Sequence, residues 1–300
     1  MPIAHVIMIV LVMAAWGGNF VAIKIGLDNF PPLLFSAIRF SLTAFPIIFL
    51  IGKRDAPWIA ILGVGLFLGV AKFSLLFVGM DIGMPAGLSS LILQSQAFFT
   101  VLIAAALLGE KLDRIEILGL LLAASGLVLI GLYMADFKSY MGLILVIAAG
   151  FFWAISNLIM KQFGKVNMLR LIVYMSLVPP VPLFFLSWEL EGSERIFHAF
   201  NNLSMTSLMA LLYVVVIATL IGFTIWGKML SLYPAARVAP YGLLVPIFGM
   251  SLSAIILGER MTESQVLGAA LILLSLLLIN SRHLLKTWRD YKSPAVSEKQ

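Results

Sequence analysis

The sequence predicts an all-α integral membrane protein of ten transmembrane helices, arranged as two inverted five-helix repeats. Three observations carry that prediction. Of the 300 residues, 62% are hydrophobic and 11% charged, with a mean hydropathy of +1.08, whereas soluble domains hold about 25% charged residues. Apolar runs of roughly the 20 residues needed to cross a bilayer recur along the whole chain and leave only short connections. The second half also repeats the first with the opposite direction of entry into the membrane, as set out below.

Gly, Pro and charged residues punctuate the runs and place helices at 4–25, 32–51, 58–80, 86–108, 115–133, 141–160, 169–188, 207–229, 236–257 and 265–284. Backbone groups cannot remain unpaired in lipid, and runs this long and evenly apolar read as helices rather than barrel strands. The first run, Ile3 to Ile23, lacks a basic leader and a small-residue cleavage site, so it reads as a retained helix. The connection from Glu189 to Thr206 is the longest and reads as a short amphipathic segment at the interface. The polar tail, Ser293 to Gln300, reads as disordered.

Lys and Arg divide unevenly between alternate connections. One side, with the C-terminal tail, carries fourteen, the other only Lys24, Lys138, Arg195 and Arg260, while Arg39 and Lys72 lie within helices. The positive-inside rule therefore places both termini in the cytoplasm, as expected for a multi-pass protein of a bacterial inner membrane. It also explains the net charge of +6 as topology rather than as a nucleic-acid surface.

An offset of 149 residues superposes Pro85, Phe99, Ala105, Leu108, Gly109, Glu110, Leu118 and Gly119 on identical residues at Pro234, Phe248, Ala254, Leu257, Gly258, Glu259, Leu267 and Gly268. No gap is needed over 84–131. Trp16 and Lys24 share their spacing with Trp153 and Lys161. The organisation is a first unit at 1–135, a second at 139–285 and a basic tail at 286–300. An odd number of helices per unit makes the second unit enter from the opposite face. Inverted repeats are an architecture of secondary transporters, whose site lies at the midplane between the units.

Polar residues within spans are the first candidates for such a site, because a buried charge costs at least about 2.5–3.5 kcal/mol on insertion scales. Lys72 lies near the middle of helix 3 without a carboxylate along its own helix; it either faces an aqueous cavity, where it could meet a substrate carboxylate, or pairs with a helix end. Trp16 with Asn19, and Trp153 with Asn157, each share one helical face and present one ring and one amide. They fit a binding site, or interfacial anchors and interhelical bonds. Gln94 and Gln96 fall on nearly opposite faces of a regular helix, so one of them is expected to line the cavity. Arg237, Pro240, Tyr241 and Pro246 crowd the entry to helix 9, where proline frees carbonyls and predicts a kink. Tyr241 there and Trp226 in helix 8 complete the candidate substrate-binding set. Arg39 is expected to be structural, pairing with a helix C-terminus or a loop carboxylate, and Pro85 and Pro234 to start helices.

Several classes of chemistry are disfavoured. There are no cysteines, and His5, His198 and His283 are scattered, so neither a metal site nor an enzyme's catalytic cluster is expected. No phosphate-binding Gly-rich lysine motif is present, and the carboxylates sit at span ends, so ATP drive and a mid-membrane proton relay are not visible.

Trp16-Gly-Gly-Asn-Phe, Ile38-Arg39-Phe40, the segment Met84 to Thr100, the two Leu-Gly-Glu turns and the segment Arg237 to Gly249 resemble the drug/metabolite transporter superfamily, and within it the EamA family of ten-helix exporters. The similarity covers nearly the whole chain. The 84–100 and 237–249 segments are most similar to exporters of O-acetylserine and cysteine. The resemblance implies efflux of small polar amino-acid metabolites, no cofactor, an arginine at position 39 as usual, and no partner beyond substrate and lipid. A monomer is expected, since both repeats needed for one pathway lie in one chain.

Overall fold

The computed structural model describes residues 1–108, 114–132, 137–163, 166–233 and 238–292. Among them every regular element is helical. The first helix, α1 (Ile3–Leu27), is followed by α2 (Pro32–Ala44), which Pro46 ends in a short tight turn. A single rod follows: α3 (Trp58–Val64) runs through wide, i→i+5 turns at Gly65–Lys72 into α4 (Phe73–Asp81). Next come α5 (Ala86–Ile92), α6 (Ser95–Leu108), α7 (Arg114–Leu132) and α8 (Phe137–Phe163).

The second half continues with α9 (Met168–Met175) and α10 (Pro180–Leu190), separated at Pro179, and α11 (Ser193–Asn201). A second rod is built from α12 (Met205–Leu212), wide turns at Tyr213–Ile221 and α13 (Gly222–Leu232). A 3-10 turn at Ala239–Leu243, α14 (Leu244–Ile256) and α15 (Glu263–Lys292) complete the chain.

Among the described residues, six stretches are long and apolar enough to cross a membrane: Ile3–Leu27, Pro32–Phe49, Trp58–Asp81, Ser139–Met160, Met168–Leu190 and Met205–Trp226; Ile117–Leu132, Tyr241–Ile256 and Glu263–Leu278 are shorter apolar helices. The protein is thus a membrane-embedded, multi-pass helical protein. The uninterrupted helices expected at 86–108, 169–188 and 236–257 are each broken. Proline explains two of the breaks, since it lacks an N–H and disturbs the preceding turn. The 189–206 connection contains α11, whose Ile196 and Ala199 are buried while Glu194, Arg195 and His198 are exposed, an amphipathic segment.

Equivalent features recur at the 149-residue offset. The wide turns at 65–72 fall on 214–221 and the start of α6 at Ser95 on the start of α14 at Leu244. Helices α7 and α15 pack together: a Cβ at Gly126 would lie 2.7 Å from the Gly268 carbonyl oxygen, and Ser275 Oγ donates to the Gly119 carbonyl at 2.7 Å. The offset carries 119 onto 268 and 126 onto 275, so these two contacts are equivalents of each other. Moving up one helix moves down the other, so the two equivalent helices run antiparallel.

Two carboxylates on the second half hold helix N-termini of the first. Glu259 accepts from the Ala86 and Gly87 N–H groups at 2.7 and 2.9 Å, and Glu191 from Leu33 and Leu34 at 2.7 and 3.2 Å. Each satisfies orphan donors at a helix start and opposes the positive end of the helix dipole. Pro85 stands immediately before α5, as a helix starter should. Pro234 and Arg237 lie outside the described residues.

Candidate functional site

The bundle encloses a cavity of about 300 Å³ between helices of both halves. Trp16, Asn19 and Phe20 of α1, Arg39 of α2, Leu68 and Lys72 of the first wide turn, and Phe73 and Leu76 of α4 form one part of its wall. Ser90, Leu93, Gln94 and Gln96 line it around the break between α5 and α6; Trp153, Asn157 and Met160 come from α8 and Met168 from α9. Ala218, Phe223, Trp226, Gly242 and Val245 close the rest. Of the candidate binding residues, Trp16, Asn19, Lys72, Gln94, Gln96, Trp153, Asn157 and Trp226 meet at this one cavity.

Its electrostatics are set by two buried cations. Lys72 is 5% and Arg39 3% exposed. Both stand over the Phe73 ring, Lys72 Nζ at 3.3 Å and Arg39 Cζ at 3.9 Å from its centroid, so the two charges are no further apart than the sum of these distances. Lys72 is also 4.8 Å from the Trp153 ring. Ring faces attract cations through their quadrupole, and the effect grows when water is excluded. Arg39 Nη2 donates to Thr219 Oγ1 at 3.0 Å, while its Nε and Nη1 are buried without a partner. Among the described residues neither cation has a carboxylate partner. This corrects the expectation that Arg39 pairs with a helix end or a loop carboxylate. Two turns into α2, it faces the bundle interior rather than the loops.

The amides and indoles are positioned by breaks in the helices. Regular 100° steps would put Gln94 and Gln96 on opposite faces. Helix α5 ends at Ile92 and α6 starts at Ser95, so the step rule does not hold between them and both glutamines line the cavity. Pro246, buried in α14, has no N–H for the Gly242 carbonyl four residues earlier. Gln94 Nε2 donates to that freed oxygen at 3.3 Å, and Asn157 Nδ2 donates to Gln96 Oε1 at 2.7 Å. The kink expected near Pro240 and Pro246 is the 3-10 turn at Ala239–Leu243. That turn brings Gly242 to the cavity, and Tyr241 is not among the lining residues.

The second wide turn frees further backbone groups, a common use of such turns at functional sites. Trp16 Nε1 donates to the Ala218 carbonyl at 2.8 Å, and Thr219 Oγ1 to that of Val214 at 2.7 Å. Trp16 stacks at a tilt with Trp226, centroids 5.5 Å apart, and with Phe223 at 5.2 Å. Asn19 Oδ1 is buried with no partner. Sequence reasoning missed Phe73, which serves both cations, and Thr219. Nothing in their spacing marks them, since their roles come from Arg39 arriving on another helix. Chemically, the site offers unpaired cationic donors, amides and ring faces. Among the described residues no group of three or more His, Asp and Glu could hold a metal ion.

A multi-pass helical bundle with an internal cavity between related halves, largely apolar but bearing several amides and two basic side chains, fits a class, the membrane transporters. The family model described as "EamA-like transporter family" matches residues 3–132 and 140–281. The chain belongs to the EamA-like transporter family, and so to the drug/metabolite transporter superfamily; it is a transporter and not an enzyme. It is 41% identical over 276 residues to a "Probable amino-acid metabolite efflux pump" of Escherichia coli (strain K12), covering 90% of this chain and 92% of that one. It is 24% identical to a "Probable terminal-alkyne amino-acid exporter" of Streptantibioticus cattleyicolor, covering 92% and 93%. A crystal structure superposes with a TM-score of 0.62 at 18% identity, covering 93% of this chain and 97% of the other, which speaks to the fold alone.

Proposed function

We propose that the protein exports small amino acids or related metabolites, of the O-acetylserine and cysteine type, across a bacterial inner membrane by alternating access. The observation that carries the reading is the pair of buried cations, Lys72 and Arg39, on the wall of a cavity that holds no carboxylate among its lining residues. Buried charge without a partner is costly, so a substrate carboxylate is the natural complement. The amides and the tryptophan faces then receive the remainder of the molecule, in a volume at the lower end of the range for small-molecule sites. The names of the two relatives, both concerned with amino acids, support the same class of cargo.

The antiparallel pairing of α7 with α15 supports two inverted repeats of five spans, the broken helices counted with their continuations. Under that arrangement, charge bias puts both termini in the cytoplasm. The chain acts as a monomer and, with no carboxylate at the cavity, as a facilitator down the metabolite gradient. The terminal-alkyne exporter favours a second reading in which other, more apolar amino acids are carried, since three tryptophans line the cavity.

The test is uptake into proteoliposomes of labelled cysteine, O-acetylserine and a panel of aliphatic and aromatic amino acids, with and without a pH gradient. Saturable uptake of the small polar group, insensitive to the gradient, is the expected result. Uptake confined to the aromatic group would keep the transporter and replace the cargo.

A further inference from the structure

We infer that the cavity recognises its cargo by the carboxylate and does not require a free amine, so that amino acids capped on nitrogen as amides are carried as well as the free zwitterions. The inference rests on the exporter reading and narrows it. A zwitterion carries no net charge. Bound in the cavity, it would satisfy Lys72 and Arg39 through its carboxylate and bring an additional ammonium into a site that already holds two cations and, among its lining residues, no carboxylate. Like charges close together in a water-poor interior repel strongly. Capping the amine removes that charge.

The groups left to receive the nitrogen are neutral. Asn19 Oδ1 is a buried acceptor at the cavity wall with no partner, and a neutral amide N–H can fill it without bringing a charge. The faces of Trp16 and Trp226, already packed against each other, offer apolar surface to an acyl group. At the other end the donors are basic and, among the described residues, unfilled: Arg39 Nε and Nη1 have no partner, and Lys72 stands over the Phe73 and Trp153 rings. The carboxylate is therefore the one group of the cargo to which the site offers opposite charge, and the amine is the one it can do without.

Proteoliposomes containing the purified full chain are given a labelled free amino acid from the uptake panel, in competition with its own N-acetyl derivative or its own carboxamide. Uptake of labelled N-acetyl derivative is measured in parallel. We expect the N-acetyl compound to inhibit at concentrations equal to or below those of the unlabelled amino acid and to be taken up itself. The carboxamide should be weaker by about tenfold or more, having lost the partner of a buried charge. Carriage of the free amino acid with no inhibition or uptake of its N-acetyl derivative overturns the inference and leaves the exporter reading intact. Silence of every free and capped compound overturns both, and uptake of the capped compounds alone overturns the claim that one site carries both forms. In Lys72→Met, both forms should lose affinity by the same factor, because they present the same carboxylate; a loss confined to one form counts against shared recognition.

Discussion

At the scale of single residues, the cavity is governed by side chains whose bonding is incomplete within the protein. Replacing Lys72 by Met keeps length and apolar packing over Phe73 and Trp153 while removing the charge. We expect Lys72→Met to raise the half-saturation concentration for uptake roughly tenfold or more at unchanged expression, the scale seen when one partner of a buried charge contact is deleted. Unchanged uptake by this variant would sink the substrate role of Lys72. Packing residues respond differently. A Cβ on Gly17 would sit 2.6 Å from Phe248 Cβ and 2.7 Å from the Gly249 nitrogen, where α1 crosses α14. Gly17→Leu should cost about 1–3 kcal/mol or more of stability, as overpacking does, read as a lowered melting temperature in detergent. At this scale the sequence was legible where helices are regular. Trp16 and Asn19, and Trp153 and Asn157, share faces because nothing interrupts α1 or α8 between them. Arg39 was harder, since its environment of Phe73 and Thr219 comes from other helices and leaves no trace in the spacing around it.

At the scale of elements, interruptions in the helices provide the polar lining that an apolar bundle otherwise lacks. Gln94 bridges from the break after α5 to the carbonyl freed by Pro246, so two helix defects repair one another across the cavity. Local sequence pointed to one of these defects, because proline is a visible signal; the break before Ser95 has none, and a regular-helix reading therefore separated Gln94 from Gln96. The contacts that fix α5 are equally specific. Glu259→Gln keeps the shape of the side chain but removes the charge facing the Ala86 and Gly87 N–H groups. Hydrogen bonds to charged groups contribute about 1.5–3 kcal/mol, so a measurable fall in melting temperature is expected. Glu263→Gln, exposed in the first turn of α15, loses only a solvent-screened interaction with that helix end and should cost less.

At the scale of the whole molecule, composition and the 149-residue repeat carried most of the fold, because lipid allows so few backbone solutions that periodic apolar length is nearly sufficient. Direction is the part still open to a direct experiment, and the chain suits it, having no cysteines of its own. In intact cells, Glu194→Cys on α11 should react with a membrane-impermeant maleimide added outside, whereas Lys53→Cys should react only after the membrane is permeabilised. The reverse pattern would invert the topology, and labelling of both from outside would break the repeat arrangement itself. The wide turns bear on history as well as transport. An extra residue in a helical turn is an unusual accident, and two helices that share little sequence carry it at one register, 65–72 and 214–221. One family model matches both halves, and common descent of the halves accounts for a distortion they share at one register. The halves differ at the end of that turn, where one carries Lys72 and the other Ile221. The cavity between the halves therefore has distinguishable sides, one of them bearing the Lys72 side chain.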